Sequence, residues 1–207
     1  MRVIALITAV FTLACAEREA LWSDQSYVLH DEIWDFAPFV KNDARTHFGT
    51  YLVRNIPFAP IYRLKQLLEN SFNIRLLDRG EAHITVITPP EYEKLKAVID
   101  IQEIHQMVQH TLQSTSFDPV CIGRGSAEID GTSESTYFVV VGSSDLLKVR
   151  RSIAERFYER GGSRLAFDPE AYYPHITIGY TKRDLHAQDG VVKDQNSCIA
   201  EVDIQDL

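Results

Sequence analysis

Two stretches alternate apolar and polar residues with the period of a half-buried strand. They are Glu81-Ala82-His83-Ile84-Thr85-Val86-Ile87 and Tyr173-Pro174-His175-Ile176-Thr177-Ile178-Gly179. Side chains two apart on a strand share a face, so His83 and Thr85 point one way while Ile84 and Val86 point to the core. His175 and Thr177 repeat the arrangement, with Ile176 and Ile178 on the buried side.

The pattern around these strands predicts an α+β chain. Gly49 to Arg54 reads as a strand. Ile61, Leu64, Leu67 and Leu68 fall on one helical face, and Phe72 to Leu77 reads as a further short strand. Thr88 and Glu91 have capping-box spacing, with Pro90 in the first turn. Two short helices follow, near Tyr92–Ile99 and Gln102–Gln113. Val120 to Ile122 is a short strand, Asp130-Gly131 a hairpin turn, and Tyr137 to Val141 a strong strand. Ser143 or Ser144 opens a helix to about Arg160, with Leu146, Val149, Ile153 and Phe157 as its buried stripe. Its arginines, Arg150 among them, read as a solvated face. Residues 17–48 are aromatic but without period and read as an arm of short helices or irregular chain. After Tyr180 the chain turns polar, with one last strand near Cys198 to Val202.

Strand, helix and His-x-Thr strand therefore occur twice in the same order. This predicts a duplicated two-lobed βαβ-type fold, with pseudo-two-fold symmetry around a central cleft. Residues 49–180 form that domain, with lobes at about 49–113 and 119–180, and 181–207 form a C-terminal tail. Each half is too small for a robust core alone, and two packed together share one.

Composition narrows the setting. The chain has 207 residues, 45% of them hydrophobic, and a net charge of −8. That balance suits a globular domain and disfavours binding long nucleic acid, which depends on basic surface. Residues 1–16 read as an export signal: Met1-Arg2, an apolar run to Ala14, and Ala14-Cys15-Ala16 as the cleavage site. The mature chain is then expected to be secreted or extracytoplasmic, with no membrane association. Cys121 and Cys198 remain, as a disulfide or as free buried thiols. His105 and His110 lie at i and i+5, which does not place them on one helical face.

Two imidazoles near a common point suit proton transfer in both directions near neutral pH. Threonine hydroxyls can donate to phosphate oxygens as charge builds there. Two such couples fit in-line hydrolysis of a phosphodiester without a metal or other cofactor. Tyr173 shares the face of His175 and is a candidate for stacking on a nucleobase.

The paired His-x-Thr-x motifs, some ninety residues apart in a duplicated chain, resemble those of the 2H phosphoesterase superfamily. The chain is also similar to its fungal branch of Swiss Army Knife RNA-repair-like proteins. The resemblance covers about Gly49 to Tyr180. It implies a metal-independent phosphodiesterase acting on 2′,3′-cyclic nucleotides or RNA-end cyclic phosphates. His83 and His175 then take the acid and base roles, and Thr85 and Thr177 hold the phosphate. A non-catalytic nucleotide-binding module using the same cleft is the alternative. The residues do not say which histidine is the base.

Overall fold

The computed structural model describes residues 23–44 and 49–206, so the export signal read at 1–16 lies outside the described residues. The strands are β1 (Ser23–His30), β2 (Asn42–Asp43), β3 (Thr50–Ile56), β4 (Ala82–Ile87), β5 (Asp118–Ile129), β6 (Thr132–Gly142), β7 (His175–Tyr180) and β8 (Cys198–Gln205). They form one mixed sheet in the order β1-β8-β5-β6-β7-β4-β3-β2. Four helices, α1 (Phe58–Phe72), α2 (Pro89–Leu95), α3 (Ile101–Val108) and α4 (Ser144–Glu159), contribute to its main core. None of the described helices is long and apolar enough to cross a membrane.

Local chemistry places most of these elements. Thr88 and Glu91 close the capping box at the start of α2, and the Ser143 hydroxyl accepts from the Leu146 amide to cap α4. Asp130 and Gly131 both have positive φ, at 53° and 76°. That is the backbone of a two-residue hairpin turn, and it joins Ile129 to Thr132.

Apolar alternation then fixes the faces. Ile84, Val86, Tyr137, Val139, Val141, Ile176 and Ile178 are buried with the helix residues Ile61, Leu64, Leu95, Ile104, Leu146 and Phe157. On the opposite face a smaller apolar group gathers Cys121, Phe138 and Val140, with Cys198 against it. Cys121 and Cys198 form a disulfide there, joining β5 to β8 across 77 positions of sequence.

Several expectations need correction. The two halves, expected as lobes around a cleft, share a single sheet. β4 pairs directly with β7, so both halves contribute to one continuous sheet. Residues 23–30, read as part of an irregular arm, form an edge strand parallel to β8. That pairing joins segments about 175 positions apart in sequence, so no local pattern reveals it. The strand read at Phe72–Leu77 is absent, because α1 runs to Phe72 and ends on Asn73 in the left-handed conformation. Only Leu77 forms a bridge, to Tyr180. Gly179 permits that approach, since a Cβ there would lie 2.9 Å from the Leu77 carbonyl oxygen.

The short strand at Val120–Ile122 extends to Ile129, passing through Gly123-Arg124-Gly125. At Gly123 the Phe138 ring takes the place of a side chain, and a Cβ would stand only 2.3 Å from it. Arg150 is not on a solvated face. It lies four residues after Leu146, inside the buried stripe of α4, and is 1% exposed.

Candidate active site

β4 and β7 run antiparallel with Ile84 opposite Ile176. That single register point decides the geometry of the site. It sets His83 beside Thr177 and Thr85 beside His175, as two cross-strand pairs flanking the isoleucine pair. Both isoleucines are fully buried, and all four polar residues lie on the half-open face. Directly opposed residues on such strands have Cβ atoms about 5 Å apart, and diagonal neighbours about 7 Å apart. His83 and His175 are diagonal neighbours, so their rings can reach a single phosphorus centre. The couples sit side by side on adjacent strands.

The two imidazoles have different neighbours. His175 Nδ1 lies 2.8 Å from the Tyr173 carbonyl oxygen. A carbonyl can only accept, so Nδ1 carries the proton and the lone pair of the neutral ring is on Nε2. The ring stands edge-on to Phe138, with centroids 5.8 Å apart. Burial lowers its pKa, and the Lys193 ammonium lowers it further. His83 Nδ1 faces the Glu81 carboxylate at 3.6 Å. Burial lowers its pKa too, but Glu81 opposes the shift. The surroundings thus favour a neutral ring at His175 more strongly than at His83.

Asp184 is the polar centre of this face, and nothing in the sequence pattern singles it out. Its Oδ1 accepts from Lys193 Nζ at 2.7 Å and from the Thr136 hydroxyl at 2.8 Å. Its Oδ2 accepts from the Thr177 hydroxyl at 3.3 Å. Burial alone would raise the Asp184 carboxyl, but Lys193, His186 and the hydrogen bonds outweigh it and hold it down to about 2. Asp184 and Lys193 both lie in the polar stretch after Tyr180, where no periodicity marks a site. Thr177 spends its one hydroxyl proton on Asp184 here, through a long bond that a phosphate oxygen can compete for.

Tyr51 is a third residue that the pattern leaves unmarked. Its ring lies 6.3 Å from that of His83, and burial, then Glu81, raise its hydroxyl pKa. Glu81 carries a usable signal, because it stands two residues before His83 and so tends to the same side. Tyr173, read as a stacking residue, is 54% exposed and touches the site through its backbone carbonyl. Tyr172 turns away and stacks under Arg150, 4.6 Å from the guanidinium carbon.

A shallow recess opens at the His83 end, lined by Asp78, Arg79, Glu81, His83, Thr177 and Tyr180 among others. Among the described residues, no group of three His, Cys, Asp or Glu side chains is placed to hold a metal ion.

A family model described as Swiss Army Knife, 2H phosphoesterase domain matches residues 50–186. The chain belongs to this family. Comparison with curated proteins and with solved structures returns no match. The matched span of the 2H domain holds both His-x-Thr strands and reaches beyond Tyr180 to include Asp184 and His186. Lys193, the ion-pair partner of Asp184, follows it. Phosphodiester hydrolysis is the activity that this 2H membership implies in general.

Proposed function

We propose that the chain is a metal-independent phosphodiesterase that hydrolyses 2′,3′-cyclic phosphates on nucleotides or RNA ends, with His175 as base and His83 as acid. The observation that supports this reading is the Ile84–Ile176 register, which makes His83 and His175 diagonal neighbours on paired strands. His175 Nε2 takes a proton from water as the water oxygen bonds to phosphorus. One ribose oxygen leaves phosphorus and receives a proton from His83. The product is a phosphate monoester, and one proton exchanged with solvent resets the pair. Thr85 and Thr177 donate to the non-bridging oxygens, where charge accumulates. Thr177 does so by leaving Asp184. Tyr173 stands at the rim, open to a base.

The partners of each ring support this order of roles. A carboxylate beside His83 stabilises the charged ring that an acid requires, while the ammonium near His175 keeps a base neutral. The repeated order of β3-α1-β4 and β6-α4-β7 supports a degenerate duplication of one unit. The Cys121–Cys198 disulfide supports an oxidising, extracytoplasmic setting, in line with the export pattern at 1–16.

The test is hydrolysis of the four 2′,3′-cyclic nucleotides, and of a short RNA ending in a cyclic phosphate, in EDTA with products resolved. Turnover to a single monoester is expected. Binding without turnover would favour the non-catalytic nucleotide module instead. The pH profile tests the roles. Both rings titrate below the ordinary value of 6.5, so kcat/KM rises as His175 loses its proton and falls as His83 loses its own, both on the acid side of 6.5. Glu81 raises the His83 value, so Glu81→Gln is expected to move the falling limb to lower pH and leave the rising limb in place. A falling limb that stays, or moves to higher pH, contradicts the assignment.

A further inference from the structure

A guanidinium and an imidazole approach Asp184 Oδ2 without hydrogen-bonding to it. Arg79 Nη2 stands 3.8 Å away and His186 Nε2 3.9 Å away, beyond hydrogen-bond reach. Asp184 is already supplied by Lys193, Thr136 and Thr177. The side chains of Arg79 and His186 are 47% and 48% exposed. Both heads therefore hold donor capacity at the same place, open to solvent.

Each is held there by its own turn. Asp78 accepts from Lys65 Nζ at 2.5 Å and from the Gly80 amide at 2.8 Å. This fixes the bend at Gly80, whose φ is +70°, and so the position of Arg79. Asp189 accepts from Arg183 Nη1 and Nη2 at 2.9 and 2.6 Å and from the His186 amide at 2.9 Å, which fixes His186. The carboxylates in both turns are matched by cations of their own: Asp78 by Lys65, Asp189 by Arg183, and Asp184 by Lys193. Arg79 is the cation that remains beside the recess it lines with His83 and Thr177, joined by His186 when that ring is charged. Glu81, the remaining carboxylate of the recess, faces His83.

We infer that Arg79 and His186 form a second anion subsite, which takes a phosphate of the substrate next to the scissile one. A guanidinium fork matches phosphate geometry, and the subsite opens onto the recess of the His83–Thr177 pair. In RNA, the nearest phosphate to a terminal 2′,3′-cyclic group is on the 5′ oxygen of the same ribose. This inference rests on the hydrolase reading above and narrows it: the preferred substrate is an RNA end or a 5′-phosphorylated cyclic nucleotide, over an unphosphorylated nucleoside cyclic phosphate.

A binding comparison tests the subsite without relying on turnover. The probes are adenosine 2′-monophosphate and adenosine 2′,5′-bisphosphate, titrated by calorimetry at low salt and at both about pH 5 and about pH 7, because burial lowers the His186 pKa below its ordinary value and its charge is gained only on the acid side. The bisphosphate is expected to bind about tenfold tighter, the gain of one charge-assisted contact. In the Arg79→Ala/His186→Ala double variant the ratio is expected to fall to within about twofold of unity. Lys182→Ala, which removes a cation paired to Asp130, is expected to keep the ratio. Equal affinities in the unmodified protein, or a ratio that survives the double variant, would overturn the subsite. Absence of turnover on cyclic phosphates would instead count against the hydrolase reading, and the affinity ratio would still decide the subsite.

Discussion

Replacing either His83 or His175 by alanine is expected to lower kcat on a 2′,3′-cyclic nucleotide by about 10²–10⁴-fold, the usual worth of a positioned acid or base. A loss of about 10³-fold is about 4 kcal/mol of transition-state stabilisation. The double variant is expected to lie near the worse single variant, because both rings serve one displacement and effects within such a unit do not add. Folding is expected to hold. Both rings project from the half-open face, while the buried sides of β4 and β7 are made by Ile84, Val86, Ile176 and Ile178. Steady-state kinetics with circular dichroism as a control read both effects. A loss below about tenfold in both single variants, with the fold intact, would remove acid–base catalysis by this pair.

The largest stability effect is expected at Arg150. Its Nη2 meets Glu91 Oε1 at 2.8 Å. Nη1 donates to the Val86 carbonyl at 2.6 Å and Nε to that of Pro169 at 2.9 Å, while Nη2 also reaches the carbonyls of Asp168 at 3.1 Å and Ala171 at 3.3 Å. The Tyr172 and Phe167 rings cover its faces. One guanidinium thus ties α4 to the end of β4, to the α2 capping box and to the loop that leads into β7. Both His-Thr strands are anchored from behind by the same group.

Arg150→Ala would strip the half-buried Glu91 carboxylate of its cation and leave several carbonyls without their donor. The expected cost is about 3–5 kcal/mol. At about 2–4 °C per kcal/mol for a chain of this size, Tm should fall by roughly 10 °C. Arg150→Lys should recover little, since three donors on one nitrogen cannot reproduce a planar five-donor fork. Thermal melts of the three proteins decide this. A fall of only about 1–2 °C in the alanine variant would mean that Arg150 does not hold the two strands.

How much of this is legible in the chain depends on the range of the interaction. The His-x-Thr strands, the Thr88–Glu91 capping box, the Asp130-Gly131 turn and the Ser143 cap are all set within a few residues, and all are visible in sequence. Arg150 misleads because charge suggests exposure, although its position four residues after Leu146 puts it in the buried stripe. The acceptors that make burial tolerable are carbonyls of a distant loop, which leave no mark on side-chain pattern. The partnership of β1 with β8 joins segments far apart in sequence, again without a local sign.

The candidate site divides the same way. Each His-Thr couple follows from strand alternation alone. Their meeting requires β4 to pair with β7 in one particular register, and the sequence supports the pairing only through the repeat of the motif. Asp184 and Lys193 come from an aperiodic stretch and reach the site by tertiary placement. The ion pair they form is buried, so it influences His175 strongly while leaving no hydrophobic period to read.

The most direct measurement is a crystal structure with a nucleoside 2′-monophosphate product bound in the recess. The Nε2 atoms of His83 and His175 are both expected within about 2.6–3.2 Å of oxygens on the same phosphorus, with Thr177 or Thr85 on a non-bridging oxygen. A phosphate held elsewhere, or reached by only one of the two rings, would contradict the shared acid–base site.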